Sequence, residues 1–229
     1  MKKLLYMLSL ACLGLLYTGC REEEIDLYDK EQALTFTSGT VSSCNFTDED
    51  YLNGVTTKED SCFVQLQGNP LDAPRTFCIK AEAREGYDVQ PTLDLVNPST
   101  YNELNGEKQT YRFIVHRPEK PSTTAGCLLT FDYADEAHQF IKGRVEVSTA
   151  GLTVTYDIEP STWMEDLWGA YSDGKYMFMM DTLGKLYDEM MYADVATVAA
   201  AYADYKAQGG ASITDDEGNE ITFPTTANE

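Results

Sequence analysis

Apolar and polar residues alternate in short runs between residues 33 and 159, and turn-forming residues separate the runs. In the run 111–116, the side chains of Tyr111, Phe113 and Val115 fall on one face. Alternation with a period of two is typical of β-strands that bury one face. The pattern predicts strands over residues 34–36, 62–66, 76–81, 93–96, 111–116, 127–133, 144–148 and 152–158.

The order of these runs predicts the fold class. No helical period lies between them, which disfavours a parallel sheet with crossover helices. Ala150 and Gly151 form a two-residue turn signal, which predicts a hairpin between the last two strands. Many short strands at this spacing favour an antiparallel, Ig-like β-sandwich over residues 33–159.

After residue 159 the alternation gives way to apolar steps of three and four residues, which predicts a helical region over residues 160–229. Thr162 followed by Glu165 is a capping-box signal for a short helix that ends near Gly169. A second helix is predicted over residues 173–192.

Asp194 can cap a third helix that ends near Gly209, because aspartate accepts hydrogen bonds at helix starts and glycine suits helix ends. Residues 213–224 are predicted to form a closing hairpin. The protein is therefore expected to be mainly β, with an α-helical C-terminal part.

The N-terminus carries an export signal. Lys2 and Lys3 precede an uncharged apolar run over residues 4–16. This run is shorter than the roughly 20 residues that a membrane-spanning helix needs. Small residues follow it before Cys20, and this layout predicts a secretory signal peptide over residues 1–19.

Residues 16–20, Leu-Tyr-Thr-Gly-Cys, resemble the lipobox of bacterial lipoproteins. The resemblance implies cleavage before Cys20 and lipid attachment to its thiol. Tyr17 departs from the usual leucine, and the alternative is an ordinary signal peptide followed by an incidental cysteine. Residues 20–32 are polar and are expected to be a lipidated tether, which two or more acyl chains would hold stably.

Three consecutive glutamates follow the lipidation position: Glu22, Glu23 and Glu24. This cluster resembles the surface-export signal of Bacteroidetes lipoproteins, and the alternative is a solvated spacer. The whole chain is acidic, with a formal net charge of −21 from 38 acidic and 17 basic residues. Such a charge repels phosphate backbones, so nucleic acid is not expected as a partner.

Four cysteines remain after Cys12 leaves with the signal and Cys20 is lipidated: Cys44, Cys62, Cys78 and Cys127. An exported compartment permits disulfides, and sequence alone leaves three connectivities open. Cys62 and Cys127 alternate with apolar residues, so both are expected to be buried and mostly free thiols are favoured. With two histidines and no close ligand spacing, a metal site is not expected.

Two acidic segments could bind calcium through their carboxylates. One contains Asp132, Asp135, Glu136 and His138, and the other spans residues 215–220. Neither has the spacing of a calcium loop, so a strand end and a turn are favoured. No nucleophile has a recognisable base nearby, so the chain is not expected to be an enzyme and no catalytic residue is assigned.

Aromatic residues gather at the start of the helical region. Trp163, Trp168 and Tyr171 are candidate ligand-facing side chains, because tryptophan and tyrosine are enriched at recognition surfaces. The alternative, which is favoured, is that they pack the helices onto the sandwich.

Several short motifs occur in an order that resembles an uncharacterised family of Bacteroidetes lipoproteins, known only as a domain of unknown function. The resemblance implies a β-sandwich with a helical C-terminal part, and genes that often lie beside an outer-membrane nutrient importer and its binding lipoprotein. The family has no assigned activity. The motifs are the acidic start, Pro74-Arg75-Thr76-Phe77, Val115-His116-Arg117, Pro160 with Trp163, Gly169-Ala170-Tyr171-Ser172 with Lys175-Tyr176, and the closing residues 218–224.

The expected function is therefore that of a lipid-anchored outer-membrane protein, displayed at the cell surface, that serves as a non-enzymatic accessory or ligand-binding component of a glycan or peptide uptake system. The expected partners are the membrane, through lipid on Cys20, and an importer with its binding lipoprotein. No cofactor is expected. The alternative is a structural or adhesive lipoprotein, such as a fimbrial-type subunit.

We expect Cys20→Ala to abolish labelling with a fatty-acid analogue and to leave the protein uncleaved or released from the membrane, because the acyl chains provide the attachment. Gel fluorescence of cells fed the analogue measures this. Cys12→Ala is the matched control, since Cys12 leaves with the signal and its loss should not alter labelling. Labelling that survives in Cys20→Ala would contradict the lipoprotein assignment.

Overall fold

The alternating runs of the first part of the chain form two β-sheets in a computed structural model. The described residues are 31–37, 41–143, 147–215 and 217–224. The signal peptide, Cys20, the glutamate cluster and most of the tether lie outside them, and so do residues 144–146 of one predicted strand. In the described part of the chain, no helix is long and apolar enough to cross a membrane.

The first sheet has five strands in the order β10-β1-β3-β8-β6. Its central pair, β3 and β8, is antiparallel and in register from Thr57 opposite His116 to Gln65 opposite Lys108. The strands are β1 (Ala33–Phe36), β3 (Thr57–Gln67), β6 (Leu93–Leu95), β8 (Lys108–His116) and β10 (Ile141–Lys142).

The second sheet has four strands in the order β2-β11-β9-β5, and a separate two-stranded sheet pairs β4 with β7. These strands are β2 (Val41–Phe46), β4 (Arg75–Phe77), β5 (Ile79–Ala83), β7 (Ser99–Tyr101), β9 (Thr123–Phe131) and β11 (Thr149–Tyr156).

The buried faces of the two larger sheets pack against each other. Phe36 of β1 stacks on Phe131 of β9 with ring centroids 4.5 Å apart. In β8 the alternating residues Tyr111, Phe113 and Val115 are all buried, as the period-two pattern predicts. The prediction of a mainly β protein built on packed sheets is confirmed.

Two strand pairs differ from the antiparallel prediction, because β1 pairs with β10 and β2 with β11 in parallel. The predicted hairpin at Ala150 and Gly151 is also wrong. Both residues lie inside β11, where Gly151 pairs with Leu128 on one side and with Val41 on the other. A strand with neighbours on both sides has its backbone hydrogen bonds in the sheet, so a glycine there does not need to turn.

The predicted strand over residues 76–81 is broken at Cys78. Its first half, β4, pairs with β7 and its second half, β5, pairs with β9. Phe77, Cys78 and Ile79 are all buried, which simple alternation along one strand does not allow. The break lets consecutive residues face the interior.

Several helical segments follow β11, and one short helix lies within the β region. They are α1 (Asp48–Leu52), α2 (Glu165–Trp168), α3 (Asp173–Leu183), a 3-10 turn (Tyr187–Glu189) and α4 (Asp194–Ala207). Thr214 and Glu220 form an isolated antiparallel bridge near the C-terminus.

The helix boundaries depart from the sequence prediction at three places. Asp194 is the first residue of α4 and accepts a hydrogen bond from the amide of Met191, while Ala193 precedes the helix without a side-chain cap. Met164, with no side-chain cap, precedes α2, so Thr162 is not the cap. Gly184 adopts a left-handed conformation and ends α3 well before residue 192. Glycine takes this conformation without the steric cost that a Cβ imposes, and apolar spacing alone does not reveal such a stop. Ser172 caps the start of α3 by accepting a hydrogen bond from the amide of Lys175.

Hydrogen bonds from tyrosine hydroxyls connect the helical region to α1. The Tyr176 hydroxyl donates to Asp48 at 2.9 Å and accepts from the backbone amide of Tyr187 at 3.0 Å. The Tyr51 hydroxyl contacts both carboxylate oxygens of Asp181 at 3.0 Å. The helices and the sandwich therefore share one buried cluster.

We expect Tyr176→Phe to lower the free energy of unfolding by about 1–3 kcal/mol, because a buried amide and a carboxylate both lose their hydrogen-bond partner. Urea denaturation measures the loss. A double-mutant cycle with Asp48→Asn should show coupling between the two positions. Additive losses would mean that the hydroxyl does not link the helical region to α1.

Candidate functional site

Trp168, one of the candidate ligand-facing residues, is only 1% exposed. Its backbone carbonyl accepts a hydrogen bond from the ammonium group of Lys175 at 3.1 Å, and the same group donates to the carbonyl of Ala170 at 2.6 Å. Burial lowers the pKa of Lys175. Trp168 is thus part of the packed interior and offers no ring surface to a ligand.

Trp163 and Tyr171 are half-buried at the edge of this packing. The indole N–H of Trp163 donates to the carbonyl of Gly169 at 2.7 Å, and its ring stacks on Tyr187 with centroids 5.2 Å apart. Tyr171 packs edge-on against Trp163 and donates its hydroxyl proton to Asp173 at 2.8 Å. The polar atoms of both rings are used inside the protein, although part of each ring still faces solvent.

The acidic segment around residue 135 forms turns. Asp132 accepts a hydrogen bond from the amide of Ala134, and Asp135 accepts one from the amide of Ala137 at 2.8 Å. Asp215 likewise accepts from the amides of Glu217 and Asn219. Carboxylates engaged in this way stabilise turns. Across the described ranges, no cluster of three or more histidine, cysteine or acidic side chains is arranged to hold a metal ion.

The four cysteines described are buried, free thiols. Burial raises the pKa of Cys62 to about 12, with the Asp60 carboxylate adding to the rise. Burial also raises the pKa of Cys78 and that of Cys127 to about 11. Because the thiolate is the nucleophile, thiols with raised pKa values are unreactive.

Cys78 and His138 lie together but do not form a nucleophile and base. Nδ1 of His138 accepts a hydrogen bond from the backbone amide of Cys78 at 3.1 Å, and burial lowers the pKa of the imidazole. Because Nδ1 uses its lone pair to accept this hydrogen bond, the proton of the neutral imidazole is on Nε2. The ring therefore holds the backbone at the break between β4 and β5.

An open groove of about 320 Å³ lies at one end of the sandwich, between the loop before β6 and the segment that joins β8 to β9. We call it the distal groove. Its volume is at the lower end of the range for small-molecule sites. It is lined by Val89, Gln90, Pro91, Thr92, His116, Arg117, Pro118, Glu119, Lys120, Thr123 and Ala125.

The register of β3 places the distal groove far from the start of β1. His116 pairs with Thr57 at the first residue of β3, whereas Ala33, where the chain leaves the tether, pairs with Gln67 at the last. The eleven residues of β3 separate the two ends by roughly 35 Å, at about 3.3 Å per residue. The distal groove and the start of β1 are therefore at opposite ends of the sandwich.

Backbone contacts fix both walls of the distal groove. The amide of His116 donates to the carbonyl of Thr92 at 3.0 Å, and the amide of Gly126 donates to that of Val89 at 3.0 Å. The ring of Tyr87 lies directly on Gly126, where a Cβ would come within 2.5 Å of it. A glycine in β9 thus allows the loop to close against the sheet.

Arg117 is the most constrained cation of the distal groove. Its guanidinium group lies 5.2 Å from the ring centroid of Tyr156 and 5.5 Å from that of Tyr51, so it is held between two aromatic faces. Its Nη1 atom is buried without a hydrogen-bond partner among the described residues. Such groups are rare in folded proteins and call for a structural explanation.

The other polar side chains of the groove that can carry a charge are His116, Glu119 and Lys120. His116 Nε2 contacts the carboxylate of Asp94 at 2.8 Å, whereas Glu119 and Lys120 are exposed. The sequence alone indicates no role for these residues, and the Val115-His116-Arg117 motif contributes only to the family resemblance. The available signal was two cations and a histidine within residues 116–120 of a very acidic chain.

Two further grooves are less suited to be the site. One, of about 450 Å³, is bordered by acidic side chains: Asp48, Glu49, Glu159, Asp188 and Glu189. Among the described residues, these acids are not arranged as a cluster that could hold a metal ion. The other, of about 380 Å³ beside Tyr133, reaches Gly143 and Ser148, which flank residues outside the described ranges.

No protein-family model matches this chain. No curated protein matches it either. Among solved structures, the apo-form Calx CBD1 domain is 8% identical over 56% of this chain and 98% of its own, with a TM-score of 0.32.

Two similar structures come from Bacteroides. A candidate carbohydrate binding protein of Bacteroides ovatus is 8% identical over 55% of this chain, with a TM-score of 0.39. A two-domain protein of unknown function from Bacteroides fragilis is 13% identical over 56%, with a TM-score of 0.38. This chain spans 37% and 47% of their lengths. These likenesses are low, and the fold described above rests on the protein's own sheets.

We expect the free energy of unfolding to fall as the pH rises from about 8 to about 10, because the unfolded chain releases thiol protons near their ordinary pKa of about 8.5 while the folded chain retains them. Urea denaturation at each pH measures this. Cys62→Ala should have a shallower fall over the same interval. An equal slope in the variant would contradict the contribution of this buried thiol.

Proposed function

We propose that this protein is a lipid-anchored, surface-displayed ligand-binding accessory of an outer-membrane nutrient uptake system, and that it is not an enzyme. The observation that carries the proposal is the position of the distal groove, at the end of the sandwich opposite the tether. A groove in this position faces away from the membrane to which the lipid would anchor the protein, so a solute or a partner protein can reach it.

The tether adds to this argument. Residues 21–32 connect the lipidation position to β1 and span at most about 40 Å when fully extended. Together with the length of the sandwich, such a reach would allow the distal groove to stand clear of lipid headgroups. The net charge of −21 acts in the same direction, since it repels an anionic membrane surface.

The proposal of a non-enzymatic role is supported by the state of the candidate catalytic groups. The thiol pKa values are raised, and the lone pair at His138 Nδ1 is engaged by a backbone amide. Within the described ranges the histidine of the distal groove, His116, faces a carboxylate, Asp94, and no serine or cysteine lines the groove beside it.

We also propose that the sandwich is Ig-like. The support is two facing, mostly antiparallel sheets of five and four strands. The N-terminal strands β1 and β2 belong to different sheets, so the chain crosses between the layers at its start.

We expect deletion of the gene to slow growth on one class of polymeric glycan or peptide while leaving growth on the corresponding monomers unchanged. Wild-type protein should restore growth, and Cys20→Ala should not, because the released protein no longer stays at the importer. Growth curves on a nutrient panel, with cross-linking to find the importer, measure this.

Two results would contradict this proposal. One is unchanged growth on every nutrient together with no cross-linked importer. The other is the protein assembled in filaments by electron microscopy, which would instead indicate the structural or adhesive role.

A further inference from the structure

We propose that the distal groove binds a sugar that carries a carboxylate, such as a uronic acid, with Arg117 and Lys120 contacting the carboxylate. This inference rests on the proposed ligand-binding function and names the ligand class of the same groove.

The charge of the groove is opposite to that of the whole chain. The chain has 38 acidic residues against 17 basic ones, yet the charged lining residues are Arg117, Lys120 and a single acid, Glu119, together with His116. Among the described residues, no carboxylate lies within ion-pair distance of Arg117 or Lys120, and Nε2 of His116 contacts the carboxylate of Asp94, which is outside the lining. The groove therefore presents cationic groups that lack an internal counter-ion.

Arg117 is prepared for a planar anion. Its guanidinium group is held between the rings of Tyr51 and Tyr156, so little side-chain freedom is left to lose on binding. Because Nη1 is buried, the two parallel hydrogen bonds that a guanidinium group can donate to a carboxylate would come from Nε and Nη2, and an ammonium group cannot provide such a pair. Lys120 is exposed and can reach the same anion as a point charge.

The other lining residues suit the body of a sugar. Val89, Pro91 and Pro118 provide apolar surface, while Gln90, Thr92 and Thr123 provide amide and hydroxyl groups. A sugar ring has C–H faces and hydroxyl edges, so it needs both kinds of contact. Ligand sites typically combine apolar walls with a few polar groups in this way.

The backbone of the groove disfavours a peptide. Peptides commonly bind by adding main-chain hydrogen bonds to a free strand edge. Here the amides of His116, Arg117 and Gly126 already donate to the carbonyls of Thr92, Thr56 and Val89. The groups left for recognition are side chains, which matches a ligand rich in hydroxyl groups better than an extended peptide.

The test measures binding of trigalacturonate to the full lipidated protein in detergent by isothermal titration calorimetry. Its methyl ester and the neutral galactose trimer are the comparison ligands. We expect the acid to bind about tenfold more tightly than the ester, because esterification removes the charge that pairs with Arg117 and Lys120. Binding of the acid should weaken as salt is raised.

Variants locate the site. We expect Arg117→Lys to weaken binding about tenfold and Lys120→Gln about threefold, because the first loses the bidentate contact and the second an exposed charge. Glu119→Gln should strengthen binding. The matched control is Lys142→Gln, which removes one positive charge from β10 at the tether end of the sandwich and should leave affinity unchanged. Urea denaturation of each variant confirms folding.

Two outcomes would overturn the choice of ligand: equal affinity for acid and ester, or tighter binding of a peptide with a free C-terminus. Equal weakening by Lys142→Gln and Lys120→Gln would overturn the location of the site. No detectable binding of the acid at about 10 mM, which corresponds to a binding free energy weaker than about −3 kcal/mol, would overturn the inference as a whole. None of these outcomes bears on the growth phenotype of the deletion strain. Failure of the sugar-acid inference is therefore distinguishable from failure of the proposed function.

Discussion

The antiparallel pairing of β3 with β8 is the interaction on which the rest of the structure depends. These two strands form the centre of the larger sheet, and their register runs without interruption from Thr57 opposite His116 to Gln65 opposite Lys108. The same register buries Cys62, Val64 and Leu66 on one side, where they face the second sheet. Because β3 pairs with β1 at its far end, it also sets the distance between the start of β1 and the distal groove. A slip of one residue would turn the buried faces outward and move His116 away from Thr92.

The helical region stabilises the sandwich through polar contacts as well as apolar packing. Trp168, Tyr176, Met179 and Met180 are fully buried in the shared cluster, and burial of such side chains is the main favourable contribution to stability. The buried polar atoms of this region have specific partners. Lys175 is 4% exposed and donates to two carbonyls that follow or end α2, so a cation stabilises the carbonyl groups at a helix end. Because these buried polar groups keep their hydrogen bonds only in this arrangement, they fix the position in which the helices pack against the sandwich.

Two grooves of different charge lie at the same end of the sandwich, because Phe46, next to α1, pairs with Tyr156, and Tyr156 pairs with Thr123 of the distal groove. Acidic residues border the groove near α1 and the 3-10 turn, where Asp48 and Asp188 lie. The distal groove instead holds Arg117 and Lys120, and its arginine stacks between tyrosines rather than pairing with an acid. On an acidic protein a local cationic site is selective, because the surrounding field repels anions that cannot make close contacts. This contrast is the basis of the proposed ligand class.

The local pattern determined what depends on neighbours along the chain: the period-two runs, the burial of Cys62 and Cys127, the apolar face of α4 with Val195, Val198 and Tyr202, and the mainly β class. It did not determine the parallel pairs β1 with β10 and β2 with β11, the break at Cys78, or the course of β11 through Gly151. Those features depend on which distant strand supplies each hydrogen-bond partner, and the identity of that strand is not encoded in a short window. The distal groove was missed for the same reason, because Thr92, Arg117 and Thr123 come together only when β6, β8 and β9 are placed in two different sheets. Sequence assigns residue types to faces, whereas the pairing of remote strands decides which of those faces meet.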